Sequence, residues 1–164
     1  MTICDLRERQ DFVDIVADRV WRAFWKEQGH PLSLLRDLVQ KSLGDDPIPT
    51  TFVAYAGDHF LGTVSLIACD EETRPQYTPW IAALWVEPDH RARGIGEALV
   101  ETAFRSAWGE SFPRAYLLSR EKRQAFYEKR GWVVRERNIP KPGMNILIRD
   151  KARAQSPSPE PPRR

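Results

Sequence analysis

The chain is short of cysteine, of net charge and of long apolar runs, and each shortage excludes a class of protein. Two cysteines, Cys4 and Cys69, in 164 residues give neither a disulfide framework nor a metal-ligand spacing, and they fit a reducing compartment. Lys and Arg number 25 against 23 Asp and Glu, so no polyanionic partner is implied. No aromatic-basic platform for nucleic acid is evident either. No apolar stretch approaches membrane-spanning length, and the charged segment from Asp5 to Asp11 does not read as a signal peptide. Aliphatic anchors are missing from Lys151 onward, where Pro, Ser, Arg and Ala dominate, and such a segment cannot bury enough surface to offset its ordering entropy. The expectation is one folded domain over 1–150 followed by a disordered tail over 151–164, in a soluble cytoplasmic protein with no membrane or nucleic-acid partner.

What is present begins with a short edge-strand candidate at Thr2–Leu6. From Asp11 a helical pattern follows, with Phe12, Ile15, Val16, Val20 and Phe24 on one face and Trp21 and Trp25 beside it. Gly29–His30–Pro31 breaks the chain, and His30 reads as a loop or cap residue. Leu32, Leu35, Leu38, Val39, Ser42 and Leu43 then mark a second helix ended by Gly44. Thr50–Tyr55 and Phe60–Cys69 are β-rich runs joined by Ala56–Gly57–Asp58–His59, which reads as a hairpin. A polar loop from Asp70 to Pro79 leads into the central stretch. Downstream, Ala115–Leu118 reads as a strand, Glu121–Arg130 as a helix stopped by Gly131, and Trp132–Arg137 and Met144–Arg149 as two last strands.

The chain is organised around Trp80 to Ala103. Trp80–Val86 is apolar on both alternating faces, as a central strand covered on each side would be. Glu87–Pro88–Asp89–His90 is a turn, with Glu87 an exposed member of it. Arg91–Ala92–Arg93–Gly94–Ile95–Gly96 then opens a helix with Ile95, Leu99, Thr102 and Ala103 on one stripe. Free amides at a helix N-terminus, glycines that permit close approach and two arginines together describe an anion site, best suited to phosphate or pyrophosphate. The Gly-Lys-Ser/Thr ending of a P-loop is absent. A dinucleotide fingerprint fails too, because Leu99 fills its third glycine position and Gly94 stands too far from the strand.

The wider pattern Val86-x-Pro88-x-x-Arg91-x-x-Gly94-x-Gly96-x-x-Leu99 resembles the acetyl-CoA signature of the GNAT superfamily of acyltransferases. Ala125–Trp132 resembles that family's helix and Gly-aromatic ending, in the family's order and spacing. The resemblance implies an α/β fold of the α+β type. Its sheet is mixed and mostly antiparallel, of six to seven strands, with helices on both faces and a cofactor cleft beside the central strand. It implies transfer of an acetyl group from acetyl-CoA to a primary amine by direct attack, with no metal. The loop Arg91, Ala92, Arg93, Gly94, Ile95 and Gly96 would hold the pyrophosphate. Leu84, Trp85 and Val86 would offer backbone groups to the pantetheine arm, and Tyr127 would protonate the departing thiolate. The acceptor would be a small molecule or, as the second reading, a peptide N-terminus or lysine; family members often form homodimers.

Some relatives carry a glutamate on the central strand, and this strand has no carboxylate. Asp70, Glu71 or Glu72 acting through water, or no base at all, stay open. A non-catalytic CoA-binding or sensory domain on the same scaffold is the competing reading. Trp21 and Trp25 are core residues or walls of the acceptor pocket. Arg120, Lys122 and Arg123 meet cofactor phosphates or form a solvated face, and Cys69 reads as a small buried strand-end residue.

Overall fold

Alternating apolar residues build a seven-stranded sheet. In the computed structural model, which describes residues 1–109 and 112–152, the strands are β1 (Thr2–Asp5), β2 (Thr50–Ala56), β3 (His59–Ile67), β4 (Trp80–Val86), β5 (Arg114–Arg120), β6 (Val133–Arg137) and β7 (Met144–Asp150). They lie in the order β1-β2-β3-β4-β5-β7-β6. Among the described residues, only β4 and β5 are parallel neighbours. This is the mixed, mostly antiparallel sheet that the resemblance implies, with β1 at an edge. The β2–β3 hairpin closes at Ala56↔His59, and Gly57, at φ 59°, supplies the left-handed residue that so tight a turn demands. All but Lys151 and Ala152 of the expected tail lie outside the described residues.

Among the described residues the α-helices are α1 (Val13–Val20), α2 (Leu32–Lys41), α3 (Ile95–Gly109) and α4 (Gln124–Glu128). On one face of the sheet, Leu99, Ala103 and Phe104 of α3 join Tyr127 and Trp132 against Ala54, Val64, Leu66, Leu117 and Leu147. On the opposite face, Val16, Val20, Leu35 and Val39 of α1 and α2 pack on Val53 and Phe60. Beside them Trp80, Tyr116, Ile146 and Ile148 form a third cluster, capped by Tyr77, which stacks on Tyr116 at 4.5 Å. The loop that carries Tyr77 is strapped down: its hydroxyl donates to Glu136 at 2.7 Å, and Arg74 pairs with the same carboxylate at 2.8 Å.

Three helical expectations are corrected. Phe12, Val16 and Val20 are buried as the stripe implies, but Phe24 is 42% exposed. The cause is a π-helical turn over Trp21–Trp25, in which the amide of Lys26 reaches back five residues to Trp21; the wider winding turns Phe24 outward. In α2, Leu35 and Val39 are buried while Leu38 faces solvent. Glu121–Arg130 is not one helix: a 3₁₀ turn at Glu121–Arg123 precedes the short α4, and Gly131 ends the region at φ 87°.

Candidate active site

Only Trp80 and Ile81 of β4 are fully buried; Ala82 through Val86 are half-exposed, so a strand covered on both faces is correct only for its start. Toward β5 the register contains the single pair Trp80↔Tyr116, and beyond it the parallel strands part. Toward β3, Ser65 pairs with Ala82 and Thr63 with Trp85, so β4 takes three steps where β3 takes two. The extra residue is a β-bulge at Ala83, which sits at φ 54°, a conformation that few side-chain-bearing residues adopt. The bulge resets the alternation. Leu84 and Val86 now point at α3, with side-chain atoms 3.9 and 3.7 Å from where a Cβ on Gly96 would stand. Ala83 and Trp85 pack on the α1–α2 side.

Past the strand, a 3₁₀ turn at Pro88–His90 leads into the glycine loop. Among the described residues the amides from Ala92 to Glu97 have no acceptor, and the helical ladder starts only with Ala98 donating to Gly94. Left-handed conformations at Ala92 (φ 60°) and Gly94 (φ 80°) fold the chain into the kind of amide concavity that binds anions. A Cβ on Gly94 would meet nothing within 4 Å, so the loop is open to a ligand. The N-terminus of α3 adds its partial positive charge. Arg93 is exposed and has no carboxylate partner among the described residues. Arg91 is tied back to β4: its Nε donates to the Val86 carbonyl at 2.9 Å, and its guanidinium lies 4.6 Å over the Trp85 ring. A 490 Å³ groove continues from Gly94 between α3 and the end of α4, lined by Glu97, Glu101, Lys129, Arg130 and Arg149 among others.

Tyr127 lies on the α3 side, 9% exposed, edge-to-face with Phe126 and Trp132. Burial pushes its phenol above the ordinary tyrosine value, an effect the charge of Arg123 partly opposes. Among the described residues its hydroxyl has no hydrogen-bond partner. The side chain therefore holds an uncommitted proton on the same face as Leu84, Val86 and the loop.

The acetyltransferase (GNAT) family model matches residues 15–132, a span that contains the bulged strand, the amide loop and Tyr127. The chain belongs to the GNAT acetyltransferase family. It is thereby an acyltransferase. No curated protein sequence matches it, but solved structures do. An aminoglycoside 6'-N-acetyltransferase complexed with coenzyme A superposes with a TM-score of 0.72 at 16% identity, over 92% of this chain and 97% of that one. The aminoglycoside 6'-acetyltransferase type Ii gives 0.69 at 18% identity, over 92% and 97%. An acetyltransferase from Streptococcus agalactiae gives 0.68 at 17%, over 92% and 98%. Likeness at such identities is a likeness of fold.

Other residues of this GNAT acetyltransferase depart from their sequence reading. Glu87 is no free turn residue: Arg19 of α1 pairs with it at 2.6 Å, and its amide donates to Leu61 at 2.9 Å. Cys69 is exposed rather than buried. Glu71 is buried, and its carboxylate accepts from the amide and hydroxyl of Thr73. Asp70 keeps solvent contact, yet the protein mass around it and the neighbouring Glu71 push its carboxyl up to about 6. Arg120, Lys122 and Arg123 are exposed at the start of the α4 region. His30 serves as a loop residue, its carbonyl accepting from the Trp21 indole at 2.7 Å.

Two positions that shape β4 escaped the sequence reading. The Ala83 bulge has no local signal, since Ala82–Ala83–Leu84 contains no glycine or asparagine. Gly62 did carry one, being a glycine inside a β-rich run. It pairs with Val86, and a Cβ there would lie 2.7 Å from the Trp85 carbonyl oxygen.

Proposed function

We propose that this GNAT acetyltransferase moves an acetyl group from acetyl-CoA to a primary amine on a small molecule. The observation that carries the proposal is the coincidence of three features along one strand: lost pairing to β5, the bulge at Ala83 and the unpartnered amides from Ala92 to Glu97. A diphosphate needs several converging donors, and the loop Arg91–Gly96 provides them, with Arg93 adding charge. An extended pantetheine arm needs a free strand edge, which Leu84, Trp85 and Val86 provide. The groove beside Gly94 leaves room for the rest of the nucleotide.

The acyl donor supplies an activated thioester. The amine nitrogen bonds to its carbonyl carbon, the carbon–sulfur bond breaks, and the sulfur leaves with the bonding pair. Backbone N–H groups at the bulge would stabilise the developing oxyanion. Tyr127 delivers its phenolic proton to the sulfur, because its burial keeps that proton in place at neutral pH. Of the three acidic loop residues, Asp70 is the best suited to take the amine proton through water. Glu71 is engaged by Thr73, whereas Asp70 titrates at about 6. The domain over 1–150 carries all of these groups, and a cytoplasmic setting would supply acetyl-CoA.

A screen of amine acceptors with acetyl-CoA, read as free thiol, tests the proposal. Thiol release that depends on an added amine is expected. Tight CoA binding with no turnover on any amine would favour a sensory domain instead.

A further inference from the structure

The sheet is joined across its middle by very little. Among the described residues, the half β1-β2-β3-β4 and the half β5-β7-β6 share one ladder pair, Trp80↔Tyr116. There the Tyr116 amide donates to the Pro79 carbonyl at 3.0 Å. On the α3 face the two halves are bridged by apolar packing and by the pairs Glu97–Arg130 and Glu101–Arg149. On the opposite face, no apolar helix residue among those described joins the cluster of Trp80, Tyr116, Ile146 and Ile148. The loop before β4 takes that place, and it reaches from the first half of the sheet to the second.

Within that loop, links recur every three residues. The Arg74 amide donates to the Glu71 carbonyl at 2.9 Å, the Tyr77 amide to the Arg74 carbonyl at 3.0 Å, and the Trp80 indole to the Tyr77 carbonyl at 2.6 Å. Across the junction, Tyr77 stacks on Tyr116 with the ring planes 9° apart. Its hydroxyl donates to one oxygen of Glu136 on β6, and the Arg74 guanidinium donates to both. The loop's polar contacts with β6 thus converge on one carboxylate. A forked, charge-assisted set of bonds fixes direction as well as distance, which apolar packing alone does not.

We propose that Glu136 is a positioning residue: acting through Tyr77 and Arg74, it sets the separation of β4 from β5 beyond Trp80, and so the seat of the pantetheine arm along Leu84 to Val86. This rests on the acyl-transfer reading and adds to it a residue outside both β4 and the glycine loop. The diphosphate, held by the 91–96 loop past the other end of β4, does not depend on the clasp.

The test uses the full-length chain with CoA as the probe. At a temperature where thermal melts show both chains folded, calorimetry is expected to find CoA bound about tenfold more weakly by Glu136→Ala than by the native chain. Glu136→Gln, which keeps an oxygen for the Tyr77 hydroxyl, should recover part of that loss. Tyr77→Phe should weaken binding on its own and add nothing in the Glu136→Ala background, because both changes cut the same clasp. Hydrogen exchange then locates the effect. In the native chain CoA should slow exchange at residues 84–86 and 92–97 alike. In Glu136→Ala the protection should fall at 84–86 and persist at 92–97, a split that general destabilisation does not produce. Native-like CoA affinity in Glu136→Ala, protection lost equally at both segments, or a Tyr77→Phe effect that simply adds would each overturn this proposal and leave the acyl-transfer reading standing. A native chain that fails to bind CoA would overturn both.

Discussion

Tyr127 matters because it keeps its proton. A phenol raised further by burial is fully protonated wherever the enzyme would work, so the role proposed for it is that of an acid and not a base. Tyr127→Phe is expected to lower kcat by about 10²-fold with little change in the dissociation constant of CoA, measured by stopped-flow turnover and calorimetry. Asp70 gives the opposite signature. Its carboxyl titrates at about 6, so the form that accepts a proton gains above that pH. The kcat/KM for the amine should therefore show an ionisation near 6 that is absent in Asp70→Asn, as a pH–rate profile would record. These side chains differ in how far sequence could reveal them. Tyr127 was picked out by the family resemblance of the helix before Gly131–Trp132, and the structure adds its burial. The state of Asp70 was not, because it depends on protein brought around it from elsewhere in the fold.

Strand β4 is the element on which the site depends, and its irregularity is what makes it useful. A regular strand would hold Ala82, Leu84 and Val86 on one face and bond its whole length to β5. The bulge and the lost pairing instead leave backbone groups free and aim Leu84 and Val86 at α3. Gly62 guards that geometry from β3. Gly62→Ala is expected to cost about 1–3 kcal/mol of stability by overpacking and to weaken CoA binding as well, seen by denaturant unfolding and calorimetry. The strap across β6 depends on one carboxylate. Glu136 is held down to about 2, first by the hydrogen bonds from Arg74 and then by that from Tyr77. Its folded-state value lies below its ordinary 4.5, so its contribution is complete above that pH and fades as pH falls toward about 2. For a half-exposed pair that contribution is about 1 kcal/mol. Thermal melts of Glu136→Gln should lie below the native chain at pH 7 and converge with it near the acid limit.

The elements themselves were readable because β4, the glycine loop and α3 follow one another with clear changes of period and clear punctuation by Pro88, Gly94 and Gly96. The bulge and the π turn were not. Ala83 has no residue-type signature, and Trp21 and Trp25 at a spacing of four satisfy an ordinary α-helix equally well. The Arg19–Glu87 pair joins residues far apart in the chain, where no local pattern reaches.

At the scale of the whole molecule, the sheet order places the parallel junction of β4 beside β5 between two differently covered faces. The α3 face carries the amides and Tyr127; the α1–α2 face carries Ala83 and Trp85. Because CoA would bind the folded chain alone, a concentration 100 times its dissociation constant should add about 2.7 kcal/mol of stability, read as a rise in melting temperature that ATP does not match. The central claim is tested most directly by a crystal structure of the CoA complex. The account predicts the diphosphate against the amides of the Arg91–Gly96 loop, the pantetheine arm along Leu84 to Val86 and the sulfur beside Tyr127. Coenzyme A seated anywhere else on the protein would contradict it.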